Sequence, residues 1–297
     1  MCFWHDCMTE EETTTYAYLN GQYTPLEEAR VPAMDRGFLL GDAVYEVIPF
    51  YHGVGFRLPQ HLTRLQRSLD AVGIELDPSI DLGAVFEQLV ARNPGRHQAI
   101  YLQISRGVAP QRKLRYPAEL RPTVFAYSYP IQLALEGPLD QVQGIRAVTV
   151  EDQRWLRCDI KATGLLANIL AIQEADSHGA EEPLLVSEGR VTEGTSCNLF
   201  LVEDGAIVTP QLEPHILGGT TRGLILELAQ QAGLPVKQEQ VAQSRLVHAD
   251  ELWISSSTRG VLPVIQVNGQ PVGKGVPGPL WFKVAALYQQ YEQQLLG

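Results

Sequence analysis

Four pairs in which Asn, Asp or Glu precedes Gly, each between apolar or alternating segments, constrain this chain more than any other feature. They are Asn20-Gly21 in YAYLNGQYTP, Glu188-Gly189 in LLVSEGRVTEG, Asp204-Gly205 in NLFLVEDGAIVTP and Asn268-Gly269 in VIQVNGQPV. A two-residue hairpin loop needs positive φ at both central positions, and these residue types adopt it at the least steric cost. Antiparallel hairpins are therefore expected in both halves of the chain. A further one is expected in VYEVIPFYHGVGFRL, and QAIYLQISRG, TVFAYSYP and GIRAVTVEDQ read as strands.

Helices interrupt this pattern. In PQHLTRLQRSLDAVG, Leu62, Leu65, Leu69 and Val72 recur at helical spacing, Pro59 suits the first turn and Gly73 the stop. A second helix is expected near residues 81–92. WLRCDIKATG leads into a third, with Leu165, Leu166, Ile169, Leu170 and Ile172 as its core face and an end near Gly179. TTRGLILELAQQAGLPV reads as an amphipathic helix closed by Gly233, and a last helix covers about residues 279–295. Strands and helices mix without strict βαβ alternation, so the expected class is α+β.

A chain of 297 residues accommodates two domains. The segment QLALEGPLDQVQG turns polar and aperiodic, which gives a tail without structure at 1–15, a small N-terminal α/β domain at 16–131, a linker at 132–143 and a large C-terminal domain at 144–297. MDRGFLLGDA, glycine-rich yet carrying Asp35, Arg36 and Asp42, reads as a loop shaped for something other than packing.

A surplus of 34 acidic over 23 basic residues, formally −11, repels phosphate backbones and anionic lipid, so neither nucleic acid nor membrane is an expected partner. No stretch approaches the roughly 20 apolar residues of a spanning helix, and the first residues lack the layout of a signal peptide, so a cytoplasmic protein is expected. Cys2, Cys7, Cys158 and Cys197 are too few and scattered to staple the chain and are expected as free thiols. Cys2, His5 and Cys7 lie close together but lack a fourth ligand nearby, so no metal is expected. Met8 opens the acidic run MTEEETTT, and translation is expected to start there with residues 1–7 dispensable.

One lysine stands out, Lys161, between Ile160 and the third helix in a chain with few lysines. Composition alone reads it as a surface lysine at a strand end. Taken singly, Glu193 is a turn residue before Gly, Tyr45 a core aromatic on a strand and Arg64 a solvated helix charge.

Eight blocks, in order LNGQYTP, DRGFLLGDAVYEV, HLTRL, YLQISRG, EDQRWLRCDIKATGLLANILAIQEA, VTEGTSCNLF, ILGGTTRG and DELWISSST, resemble the fold-type IV aminotransferases across nearly all of residues 16–297. WLRCDIK and QISRG bring the likeness nearest to the D-amino-acid transaminase branch. The resemblance implies a two-domain α+β fold holding pyridoxal 5′-phosphate between the domains, and a homodimer whose site borrows a loop from its neighbour. It makes Lys161 the Schiff-base lysine and the acid and base that moves the substrate's α-proton. It makes Glu193 the partner of the pyridine nitrogen, and Tyr45 the tyrosine beside lysine, cofactor and substrate. Arg64, Thr220, Thr221, Ser256 and Ser257 become phosphate contacts, and Leu217 packs on the ring.

The chain departs from the family at the substrate carboxylate. The D-amino-acid branch places an Arg-x-His pair after the ISRG strand, whereas RGVAPQRKLRYP is one residue longer and has no histidine. Arg112, Lys113 and Arg115 remain as a carboxylate clamp or as a solvated basic loop. The expected reaction is a ping-pong transfer from a D-amino acid such as D-alanine to a 2-oxo acid such as 2-oxoglutarate. Branched-chain L-amino-acid and (R)-amine transamination, aminodeoxychorismate lyase activity and a silent cofactor-binding homologue stand as alternatives.

Overall fold

A computed structural model describes residues 14–296. Cys2, His5, Cys7 and Met8, and with them the expectations of metal binding and of the start site, lie outside the described residues, as does nearly all of the expected tail.

The asparagine-glycine and acidic-glycine pairs do what their chemistry predicts. Asn20 and Gly21 have φ of 48° and 93°, Asn268 and Gly269 51° and 77°, and the two acidic pairs fall in the same region. The first half of the chain forms one six-stranded sheet from β1 (Tyr16–Leu19), β2 (Gln22–Pro25), β3 (Ala43–Tyr51), β4 (Val54–Gly55), β5 (His97–Ser105) and β6 (Thr123–Pro130). Its order is β2-β1-β6-β5-β3-β4, with antiparallel neighbours throughout. Residues 34–43, read as a loop, contain a short helix, α1 (Arg36–Leu40), because the Asp35 carboxylate accepts from the Gly37 N–H and caps it.

Two longer helices, α2 (Leu58–Val72) and α3 (Leu82–Arg92), cover one face of this sheet. Val44, Ile48, Ile100, Leu102 and Val124 meet Leu65, Leu69, Phe86 and Leu89 there. The opposite face carries Tyr45, Val47 and Tyr101, alternating with the core residues as the pleat requires.

The second half forms a sheet of ten strands: β7 (Ile145–Glu151), β8 (Glu182–Ser187), β9 (Arg190–Gly194), β10 (Asn198–Glu203), β11 (Ala206–Pro210), β12 (Val236–Glu239), β13 (Val241–Ala242), β14 (Glu251–Ser256), β15 (Gly260–Val267) and β16 (Gln270–Pro271). Three helices attend it, α4 (Leu166–Ser177), α5 (Thr220–Gln231) and α6 (Pro279–Leu296). Both faces of its middle are buried. Phe200, Trp253 and Val261 pack under α5 and α6 with Trp281 and Tyr288, while Leu199, Leu201, Leu252 and Ile254 form a separate core on the other side. Tyr51 and Phe56 from the first half enter the α5–α6 core, and residues 132–143 run past it with Leu135 buried.

Two crossovers were not visible in the local pattern. β7 and β8 are parallel neighbours joined by α4, and β11 and β12 are parallel neighbours joined by α5. β15 and β7 are a third parallel pair, and the fold is α+β with these parallel pairings set among hairpins.

The third helix does not turn its large side chains inward. α4 meets β7 and β8 through Ala171 and Ala175, with Val150 and Leu185 beneath, while Leu166 is 69% exposed and Leu165, Ile169, Leu170 and Ile172 also face outward. The expected core face is thus a surface of the single chain, because alanines let the helix lie close to the sheet. Ala175→Leu should overpack this seam and lower stability by about 1–3 kcal/mol, read as a shift of the urea midpoint.

Candidate active site

A cavity of about 490 Å³ opens between the two halves of the chain. It is of the size that holds a cofactor and a small substrate. Tyr45, Arg64, Lys161, Glu193, Leu217, Thr220, Thr221, Ser256 and Ser257 all line it, although they come from β3, α2, the segment before α4, β9, the approach to α5 and its first turn, and the end of β14 with the residue after it. Arg112, Lys113 and Arg115 do not line it; they lie on an exposed loop.

Lys161 is held by its backbone. Its N–H donates to Ser68 Oγ at 3.2 Å, its carbonyl accepts from the Tyr45 N–H at 2.9 Å, and the next residue, Ala162, bridges Val44. The strand that presents Tyr45 therefore also fixes the lysine, and Nζ sits 4.2 Å from the centre of the Tyr45 ring.

Arg64 is set by a buried carboxylate that the sequence reading missed. Glu46 lies on the core face of β3, where its two oxygens accept from Arg64 Nε and Nη2, each at 2.7 Å, and Arg64 Nη1 reaches the Gly218 carbonyl at 3.2 Å. Burial opposes the charge on Glu46, yet the Arg64 guanidinium outweighs it and holds the carboxyl well below the usual range. His61 Nδ1 lies 2.8 Å from Glu46 and Nε2 lies 3.1 Å from Thr220 Oγ1. Burial pushes the His61 pKa down, so the neutral ring donates to Glu46 through Nδ1 and accepts the Thr220 hydroxyl at Nε2. Thr220 in turn meets Ser257 at 3.2 Å. A buried relay thus runs from β3 through α2 to the start of α5.

Glu193 occupies a different environment. Its Oε1 accepts from Arg154 Nη1 at 2.7 Å, and its Oε2 accepts from the Leu217 N–H at 3.1 Å and from Asn198 Nδ2 at 3.2 Å. Burial pushes the carboxyl up to about 7, with Arg154 offsetting only part of the effect. Near neutral pH it is divided between its acid and its anion, so a further cation in the cavity tips it to the anion. Asp152 takes the other side of the Arg154 fork and keeps that guanidinium aimed. A methyl on Gly219 would overlap Asn198 Oδ1, so glycine here keeps the amide that braces Glu193 in place.

Three buried hydroxyls on the cavity wall, Thr221 Oγ1, Ser255 Oγ and Ser256 Oγ, have no hydrogen-bond partner. They stand beside the first turn of α5, whose leading N–H groups and dipole favour an anion. Unmet hydroxyls, free helix-end amides and Arg64 fit a phosphate, the Glu193 carboxylate fits a cationic ring nitrogen, and the Lys161 amine fits an aldehyde. The residues present therefore suit pyridoxal 5′-phosphate.

The expected substrate loop is tied elsewhere. Arg36 donates to the Lys113 carbonyl at 2.6 Å and to the Leu114 carbonyl at 3.2 Å, and Asp42 receives both Arg36 and Arg106. Arg106 also stacks on Tyr116 at 3.9 Å. The charged residues of MDRGFLLGDA thus anchor residues 113–116. The sequence reading missed Glu46, His61, Arg154 and Asn198. All four stand inside the blocks quoted for the resemblance, but each acts through a long-range contact that spacing does not show.

The model of the amino-transferase class IV family matches residues 43–267. The chain is 41% identical to a D-alanine aminotransferase of Bacillus licheniformis over 91% of its own length and 94% of that relative, and 37% identical to one of Staphylococcus aureus (strain COL) over 92% and 96%. Among solved structures it resembles the branched-chain aminotransferase from Thermoproteus uzoniensis with norvaline (29% identity, TM-score 0.84, 93% and 94% covered). It also resembles a branched-chain aminotransferase from T.th. with pyridoxamine 5′-phosphate (26% identity, TM-score 0.85, 93% of each chain covered).

The depressed Glu46 carboxyl fixes a pH dependence. Its contribution to stability is complete above the ordinary glutamate value of roughly 4.3 and is lost as pH falls below it. Glu46→Gln should lower stability by about 3–5 kcal/mol near neutral pH, by leaving Arg64 buried without its anion, and should flatten the decline in urea midpoint between about pH 5 and 3.

Proposed function

The chain belongs to the class IV aminotransferases, and from that premise we propose that it transfers the amino group of a D-amino acid such as D-alanine to a 2-oxo acid such as 2-oxoglutarate. The observation that carries this reading is one cavity that gathers Lys161, Glu193 and a set of unpartnered hydroxyls in a chain 41% identical to a D-alanine aminotransferase. The likeness to branched-chain enzymes rests on lower identities, 24–29%.

The bound cofactor supplies an aldehyde carbon that takes up the amino group and a ring that accepts the electron pair left when the α-hydrogen departs as a proton. Lys161 would anchor it through its amine. Its Nζ is the base that would take up the substrate's α-proton, and the Tyr45 ring centred 4.2 Å away orients that amine. Glu193, held by Arg154 and Asn198, stabilises positive charge on the ring nitrogen. Arg64, Thr220, Thr221, Ser256 and Ser257 would hold the phosphate, and Leu217 would pack on the ring. Release of the oxo acid and uptake of the second one reverse the same steps, which makes the cycle ping-pong.

We take the working unit to be a homodimer. A helix that shows Leu166, Ile169 and Leu170 to water, with Phe38 (75% exposed) and Leu156 (69%) also uncovered in the single chain, needs a partner. In such a dimer the loop bearing Arg112, Lys113 and Arg115, which lies outside its own cavity, serves the neighbour's and meets the substrate α-carboxylate there. Free thiols at Cys158 and Cys197 support a cytoplasmic setting.

Assays with D-alanine, L-leucine and (R)-phenylethylamine as donors test the specificity, and turnover of L-leucine alone would overturn the D-amino-acid reading. Lys161→Ala should keep its melting temperature but lose turnover by at least about a thousandfold, and its cofactor should wash out on dialysis. Leu166→Glu should convert a dimer to a monomer in sedimentation velocity; an unchanged sedimentation coefficient would place the interface elsewhere.

A further inference from the structure

Three guanidinium groups line the cavity, and they differ in how much of their hydrogen-bonding capacity is already used. Arg64 spends Nε and Nη2 on Glu46 and Nη1 on the Gly218 carbonyl. Arg154 spends Nε and Nη2 on Asp152, Nη1 on Glu193, and Nη2 again on the His215 carbonyl. Arg259 makes a single hydrogen bond to oxygen, from Nη2 to Glu182 Oε2 at 2.7 Å, and otherwise has only the weakly accepting Cys197 thiol beside it. Its Nε and Nη1 have no oxygen or nitrogen acceptor among the described residues, and its side chain is 34% exposed at the cavity wall.

That one bond is enough to aim it. Glu182 is buried, and its other oxygen accepts from both the N–H and the hydroxyl of Thr195, at 3.1 and 3.0 Å. The carboxylate is therefore fixed, and it grips one edge of the Arg259 fork while leaving the other edge to the cavity. The phosphate cradle already has its own donors in Thr221, Ser255 and Ser256. Arg259 instead belongs to the wall built from Glu182 and the segment from Gly194 to Cys197, just beyond Glu193.

We propose that Arg259, held by Glu182, is the specificity residue that receives the side-chain carboxylate of dicarboxylic substrates, such as D-glutamate and 2-oxoglutarate. The inference rests on the transaminase reading above and adds to it a cation for the second carboxylate. The second Nη2 hydrogen and a free N–H beside it form an edge of a fixed planar fork, which matches the two oxygens of a carboxylate, a pairing lysine does not reproduce. Monocarboxylates such as D-alanine and pyruvate have no group to place there.

The test is steady-state kinetics of the holoenzyme with pyruvate and 2-oxoglutarate as acceptors and D-2-aminobutyrate, another monocarboxylic D-amino acid, as donor, on wild type, Arg259→Leu and Arg259→Lys. A melting curve and the absorbance of bound cofactor report whether each variant is folded and loaded. For Arg259→Leu, KM for 2-oxoglutarate should rise about 10- to 100-fold more than KM for pyruvate, the effect of one charge-assisted pair. Arg259→Lys keeps the charge against Glu182 but not the fork, so it should show the same preference at smaller amplitude and serves alone if the leucine variant does not fold. Parallel losses with both acceptors would overturn the inference while leaving the transaminase reading intact, because a structural ion pair has no reason to discriminate between them. Wild type inactive both on D-alanine with 2-oxoglutarate and on D-2-aminobutyrate with either acceptor would sink the parent reading and this inference with it.

Discussion

The buried contact between Glu46 and Arg64 is the constraint on which the rest of the site depends. Taking two charges out of water costs several kcal/mol per ion after relaxation, and only good geometry with further hydrogen bonds offsets it. Here the fork is bidentate at 2.7 Å and His61 adds a third bond, so the pair can exist in a core. Its net contribution to stability is small by that accounting. Its structural effect is large, because the carboxylate on β3 places the guanidinium of α2 at the cavity and, through His61, reaches Thr220 on α5. Two halves of the chain, joined elsewhere by apolar packing, by the Arg57–Glu227 ion pair and by the backbone bonds of Lys161, thus meet in one register at the site.

Two fully buried glutamates show how the same side chain is set to opposite states. Glu46 faces a whole guanidinium fork and is held ionised far below its ordinary range. Glu193 has one edge of Arg154, which it shares with Asp152, so desolvation prevails and lifts it to about 7. The first is a strut whose charge does not change across the neutral range. The second is tuned so that its ionisation responds to whatever charge enters the cavity beside it, which is what a partner for a ring nitrogen requires.

Much of this architecture could be read from local chemistry, and what could not shares a physical cause. The Asn-Gly and acidic-Gly turns were legible because a two-residue loop specifies its own backbone angles. The helix carrying Arg64 was legible because its apolar spacing and its Pro and Gly ends are all close together along the chain. The parallel pairings β7–β8 and β11–β12 are set by what lies across the sheet, so nothing in either strand announces them. α4 is the sharpest case. Its leucines and isoleucines have the spacing of a core face, but periodicity says only that a face is apolar, not whether the same chain covers it, and here Ala171 and Ala175 take the seam instead. Glu46 escaped notice because a glutamate in a strand is by default solvent-facing, and its inward register depends on an arginine eighteen positions away.

The unmet hydroxyls of Thr221, Ser255 and Ser256 link the stability of the site to what it binds. A buried polar group without a partner costs about 1–3 kcal/mol, a large amount over three groups against the total stability of a folded chain. In the cavity a ligand can satisfy such groups, or the chain can satisfy them internally. The neighbouring Thr220 shows the second solution: its hydroxyl is already engaged by His61 and Ser257. Binding a phosphate there returns to the fold what the open hydroxyls cost it, so cofactor retention and stability at the start of α5 are one quantity.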